Sequence, residues 1–178
     1  MNNKILWITR TAISIALLLV LQATAAPLGN IIVGSIVNLI LIVSVMICGL
    51  VSGIAVAVIS PVMAKFFGIG PFFSLIPFIA AGNIILVFLW HFIGSRHTSS
   101  KYTAYIIAMV SAAVAKFLVL YIGIVKIALP LFLRLPEQQA CVISNMFSVP
   151  QLITALTGGI LALIMLPTLN KALEKRWG

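Results

Sequence analysis

The chain has 178 residues, of which 63% are hydrophobic and 7% charged, with a mean hydropathy of +1.28 and a formal net charge of +9. A soluble domain carries about 25% charged residues to coat its surface, so a water-facing globule is excluded and most of the exterior must face lipid. The Lys and Arg residues are spread along the chain rather than gathered into one basic face, which sets aside nucleic acid as a partner.

A spanning helix needs ~20 mostly apolar residues to cross a hydrocarbon core of ~30 Å. In chain order, apolar runs between breaker residues predict spans over 5–24, 33–48, 54–67, 75–94, 102–127 and 151–170. Ala25-Ala26-Pro27-Leu28-Gly29-Asn30 closes the first span, Gly49 and Gly53 follow the second, and Gly68-Ile69-Gly70-Pro71 ends a short third. Ser95 to Lys101 forms a polar loop after the fourth. Pro130, Pro136 and Pro150 argue that 128–150 is irregular rather than a further simple span, because proline lacks an N–H and breaks helices. The fold class is therefore all-α: one polytopic membrane domain over 1–178, about six transmembrane helices joined by short loops, with no soluble domain.

Orientation follows from charge. With the N-terminus inside, Lys4, Arg10, Arg96, Lys101, Lys171, Lys175 and Arg176 fall at cytoplasmic ends, as the positive-inside rule asks. Both termini are then cytoplasmic, and Arg134 lies outside. The N-terminus has a competing reading as a signal peptide, with Lys4 and Arg10 before an apolar run and Ala23-Thr24-Ala25 as a small-residue cleavage site. Retention as the first span is the preferred expectation.

An ionisable group inside a span costs ~2.5–3.5 kcal/mol at the centre and usually faces the bundle interior. Lys116, mid-span between Ala115 and Phe117, fits a counter-charge for an anionic ligand better than a snorkelling surface residue. Lys126 is balanced between extending that lining and snorkelling, and Lys65, near the outer end of its span, is expected to snorkel. The in-span amides of Asn38 and Asn83 need partners, which either a neighbouring helix or a ligand supplies. Cys48 and Cys141 lack CxxC spacing and are expected to be buried membrane residues. His91 reads as interfacial and His97 as loop.

Catalytic material is scarce. The only carboxylates are Glu137 and Glu174, and there is no HExxH, GxSxG or glycine-rich GK[ST] loop. An enzyme, an ATPase and a metal centre are not expected, and no cofactor is implied. A channel would need a charged ring or repeated filter, which is absent from the sequence. Small residues recur at four-residue spacing in Ala12/Ala16, Gly49/Gly53, Gly53/Ala57, Ala108/Ala112 and Ser111/Ala115, a pattern that lets helices approach closely in lipid.

Three stretches carry a family resemblance: Thr9-Arg10-Thr11-Ala12-Ile13-Ser14-Ile15-Ala16-Leu17, Gly34 to Leu39 continuing through Gly49 to Gly53, and Gly68-Ile69-Gly70-Pro71 through Pro77. In order and character they resemble the substrate-binding S components of energy-coupling factor (ECF) vitamin transporters. The resemblance implies a six-helix bundle with cytoplasmic termini in the bacterial plasma membrane. Such a subunit takes a small solute from outside and is reoriented in the membrane by a T component and two ABC ATPase subunits. It further implies that Ala12 and Ala16 dock the T component. The solute would sit near the outer face against Asn30, Phe72, Asn83, Lys116, Asn145 and Gln151, with the amide of Asn38 as a further candidate. The histidine-rich N-terminus of the metal-ion members is missing, as is a membrane carboxylate to face a cation, so Lys116 points to an anionic metabolite such as pantothenate. The alternative is a structural membrane subunit, like the small polytopic protein of the rod-shape cell-wall machinery; a bundle without a cavity would favour it.

Overall fold

A computed structural model of the chain describes residues 3–68, 72–96, 101–133 and 135–177. Six long helices form the bundle: α1 (Asn3–Ala25), α2 (Asn30–Cys48), α3 (Leu50–Phe66), α4 (Ile76–Gly94), α5 (Lys101–Leu120) and, after the short α6 (Glu137–Met146), α7 (Val149–Trp177). Among the described residues, five helical stretches are long and apolar enough to cross a membrane; α3 is the shorter apolar partner of the set. The chain is a multi-pass membrane protein of helical-bundle architecture.

Apolar side chains cover the outside of this bundle, among them Ile13, Val51, Ile106 and Ile164. That surface is unstable in water and stable in lipid, where only spans with internally satisfied backbones survive. The helices alternate in direction. The tight reversals between α1 and α2 and between α2 and α3 turn on Gly29 and Gly49, whose φ values of +96° and +89° suit a residue without Cβ. The starts of α2, α4 and α7 therefore share one end of the bundle with the last turns of α1 and α3. The start of α1 and the end of α7 lie at the opposite end.

Helix α2 is central, packing against α1, α3, α4 and α7, while α4 and α5 form the other close pair. Glycine sets how near the helices come. An added Cβ on Gly158 of α7 would lie 2.7 Å from Cβ of Asn38 and 2.8 Å from the backbone oxygen of Ser35. The main core of Leu18, Leu41, Val45, Val87 and Trp90 fills the terminal half, and a second cluster around Leu75, Leu120, Ile124 and Phe147 closes the other half. Of the paired small residues, Gly53, Ala57, Ala108 and Ala112 are buried in these contacts.

Two expectations change. Residues 128–150 are mostly helical: α5 runs on through Tyr121–Leu133 in wide, i→i+5 turns that contain Pro130. Pro136 immediately precedes α6, and Pro150 falls in the first turn of α7, where a missing N–H costs nothing because those amides have no helical partner. Cys141 is exposed rather than buried and Cys48 half-buried, both free thiols; Cys141 rides on α6, a mostly exposed helix that packs against α7 and the extension of α5. Residues 69–71, 97–100 and 134, with the loop and charge assignments made there (Ile69, Gly70, Pro71, His97, Arg134), lie outside the described residues. So do the side chains of Lys4, Lys101, Glu174, Lys175 and Arg176.

Candidate functional site

The starts of α2, α4 and α7 and the last turns of α1 and α3 surround an open-mouthed cavity of about 140 Å³. Ligand sites typically combine mostly apolar walls with a few placed polar groups. Val33, Pro61, Ile76, Ile79 and Phe147 give apolar wall here, and polar groups converge among them.

Lys116 on α5 forms the polar centre. It is 4% exposed, and its Nζ donates to Oδ1 of Asn38 at 2.6 Å and to Oδ1 of Asn83 at 2.7 Å. Each amide is held in turn. Nδ2 of Asn38 donates to Oγ1 of Thr154 at 3.3 Å, and that hydroxyl donates to the backbone oxygen of Gln151. Nδ2 of Asn83 donates to Oγ of Ser60 at 3.2 Å and to the backbone oxygen of Ala57 at 3.4 Å. The network thus ties α2, α3, α4, α5 and α7 to one amine. An ammonium has three N–H donors; two are taken, and no described residue receives the third.

Among the described residues, no carboxylate meets this amine. Glu137 opens α6 and lines a separate surface depression. Glu174 stands 23 residues beyond Gln151 on α7, about 34 Å along the axis. Two amide oxygens are the acceptors that hold the amine at the cavity.

Six of the seven residues nominated from sequence come together on this cavity: Asn30, Asn38, Phe72, Asn83, Lys116 and Gln151. Gln151 holds its place by donating from Nε2 to the backbone oxygen of Met146 at 3.1 Å. The seventh, Asn145, is exposed on α6 and borders an adjoining recess shared with Asn30 and Gln151. Two of the lining residues that the sequence reading did not nominate carry long polar side chains. Lys65 is half-buried at the mouth, its Nζ 5.4 Å from the centroid of the Phe73 ring, a lining role rather than a snorkelling one. Gln22, from the last turns of α1, is 4% exposed. Its signal was an amide in an otherwise apolar stretch, the same signal that marked Asn38 and Asn83. Lys126 is exposed, over the Tyr121 ring at 5.6 Å, and does not extend the cavity lining. Ala12 and Ala16 lie on the exposed face of α1, which the bundle covers only from the α2 and α3 side.

No curated protein and no solved structure matches the chain. The family model for the substrate-specific component of ECF transporters matches residues 7–170, every helix that builds the cavity included. A match over nearly the whole chain, joined to a membrane bundle with a polar cavity at one end, places this protein in the ECF transporter substrate-specific component family.

Proposed function

We propose that the chain captures a small organic anion, a carboxylated vitamin or related metabolite such as pantothenate, for ATP-driven import across the bacterial plasma membrane. The observation that carries this reading is the Lys116 amine: buried, facing the cavity, held by amide oxygens alone, with one N–H left over. A carboxylate arriving there gains a charge-assisted hydrogen bond in a site of low dielectric and relieves an uncompensated buried charge. Asn38 and Asn83 position the amine. Asn30, Phe72 and Gln151 surround the entering solute, and Asn145 borders the approach to it. The cavity mouth faces outwards, with both termini in the cytoplasm.

The chain performs no chemistry on its cargo. Energy comes from partner subunits, a T component and two ABC ATPases. Ala12 and Ala16 supply the contact for the former, since exposed small residues at four-residue spacing let a second helix approach closely. A purely structural subunit has no use for a buried amine beside an open cavity, which sets the scaffold reading aside.

Native mass spectrometry of the protein purified from its own membrane tests the proposal. An anionic species of a few hundred daltons should accompany the wild-type protein and be lost from Lys116→Ala. An anion retained at full occupancy by Lys116→Ala would remove Lys116 from the site.

A further inference from the structure

Gln22 carries the second feature of the cavity that lacks a partner. Its side chain is 4% exposed and lines the same cavity as Lys116, and its amide oxygen is buried with no hydrogen-bond partner among the described residues. Buried polar atoms are nearly always paired. A lone carbonyl oxygen is an acceptor only, so what completes it must be a donor. Asn38 and Asn83, the amides that hold Lys116, both have their oxygens engaged by its amine. The Gln22 oxygen is not engaged, and its side chain borders the cavity where a solute would sit.

We infer that Gln22 is a specificity-determining residue that accepts a hydrogen bond from an N–H or O–H group of the solute, while Lys116 takes its anionic group. The substrate class narrows accordingly to small organic acids bearing a donor remote from the acid. Helix geometry sets the spacing. Asn38, which holds the Lys116 amine, lies eight residues into α2, about 12 Å from its start, whereas Gln22 lies three residues from the end of α1, about 5 Å. The two groups are offset by roughly 7 Å along the bundle axis on that rise per residue, so acid and donor belong at opposite ends of a compact molecule. Acids without a donor leave the Gln22 oxygen buried and unpaired, and sites built to pair a donor reject such analogues strongly.

This inference rests on the anion reading of the cavity, and the test separates the two. Isothermal titration of the full-length protein in detergent uses five probes. Biotin and pantothenate are acids with remote donors; lipoate is an acid of similar size without one; biotin amide and panthenol are the uncharged counterparts. The expected result is that at least one donor-bearing acid binds at least ten-fold tighter than lipoate. Gln22→Met, which keeps length and removes the acceptor, should shrink that preference to within about two-fold without changing the melting temperature of the unliganded protein by more than a few degrees. Lipoate binding as tightly as the donor-bearing acids, or a preference unchanged in Gln22→Met, overturns the role of Gln22 and leaves the anion reading standing. Biotin amide or panthenol binding as well as its acid, or none of the five binding, overturns both.

Discussion

The amine of Lys116 and the side-chain oxygen of Asn38 lie 2.6 Å apart although 78 residues separate them in the chain. The contact joins α5 to α2, and Asn83 closes it from α4 at 2.7 Å. Hydrogen bonds to a charged group contribute ~1.5–3 kcal/mol each, and two of them make a buried cation tolerable. They do not cancel it. On the proposed function, the structural and the binding roles of this cluster come from the same feature, an amine held by two amide oxygens.

Removing the amine should weaken anion capture with little effect on the apolar walls. Lys116→Met is expected to weaken binding of the co-purifying anion by 1.5–3 kcal/mol, about 10–150-fold, the worth of a charge-assisted hydrogen bond. Titration calorimetry on the purified protein measures this. Unchanged affinity would mean that the anion sits elsewhere.

The two asparagines differ in what they hold, so their loss should differ too. Asn38 donates to one group, Thr154, whereas Asn83 donates to Ser60 and to the Ala57 carbonyl. Asn83→Ala should thus destabilise the bundle more than Asn38→Ala, each by about 1.5–3 kcal/mol through the exposed need of Lys116. Denaturant unfolding in detergent, followed by helical circular dichroism, ranks them. Because both act on one amine, the double variant should depart from the sum of the singles by at least ~0.5 kcal/mol. Strict additivity would deny a shared network.

Close approach of α2 and α7 holds Asn38 in register with Lys116. A Cβ at Gly158 would press on Asn38 Cβ and on the Ser35 backbone oxygen, and backbone cannot yield as a flexible side chain does. Gly158→Val is expected to cost ~1–3 kcal/mol of stability, as overpacking does, and to weaken solute binding despite lying outside the cavity lining. Normal affinity in this variant would show that the α2–α7 spacing does not set the site.

The outer face of α1 should behave oppositely. Ala12→Trp and Ala16→Trp add bulk to exposed positions, where substitutions usually change stability by less than ~0.5 kcal/mol. Melting temperature and solute affinity should stay at wild-type values while co-purification of the T component falls sharply. Intact complexes in both variants would place the docking face elsewhere.

Much of this protein could be read before any coordinates. Spans follow from the requirement that ~20 apolar residues cover the hydrocarbon, and composition allowed no soluble alternative. Lys116, Asn38 and Asn83 stood out because polar groups in lipid are costly enough to need a reason. Sequence reasoning stumbled where a residue's meaning depends on its level in the bundle. Pro130 reads locally as a breaker, yet it is carried inside the wide turns that extend α5. Lys65, at a span end, reads as a snorkelling residue, yet the last turn of α3 faces the cavity. Gln22 stayed hidden in a hydrophobic run because an amide on a peripheral helix has no preferred direction until that helix is packed.

The amino-acid sequence by itself determined that the chain spans a membrane repeatedly, which segments do so, and that at least one of them carries a charge without a carboxylate nearby in sequence. Those are properties of single segments against lipid, set by transfer free energies that each segment meets alone. Only the tertiary structure decided that Lys116 meets Asn38 and Asn83, that Gln22 and Lys65 share their cavity, and that Lys126 does not. These depend on the rotation and depth of each helix against its neighbours, which Gly158, Gly34 and the other close contacts set through packing between residues far apart in the chain.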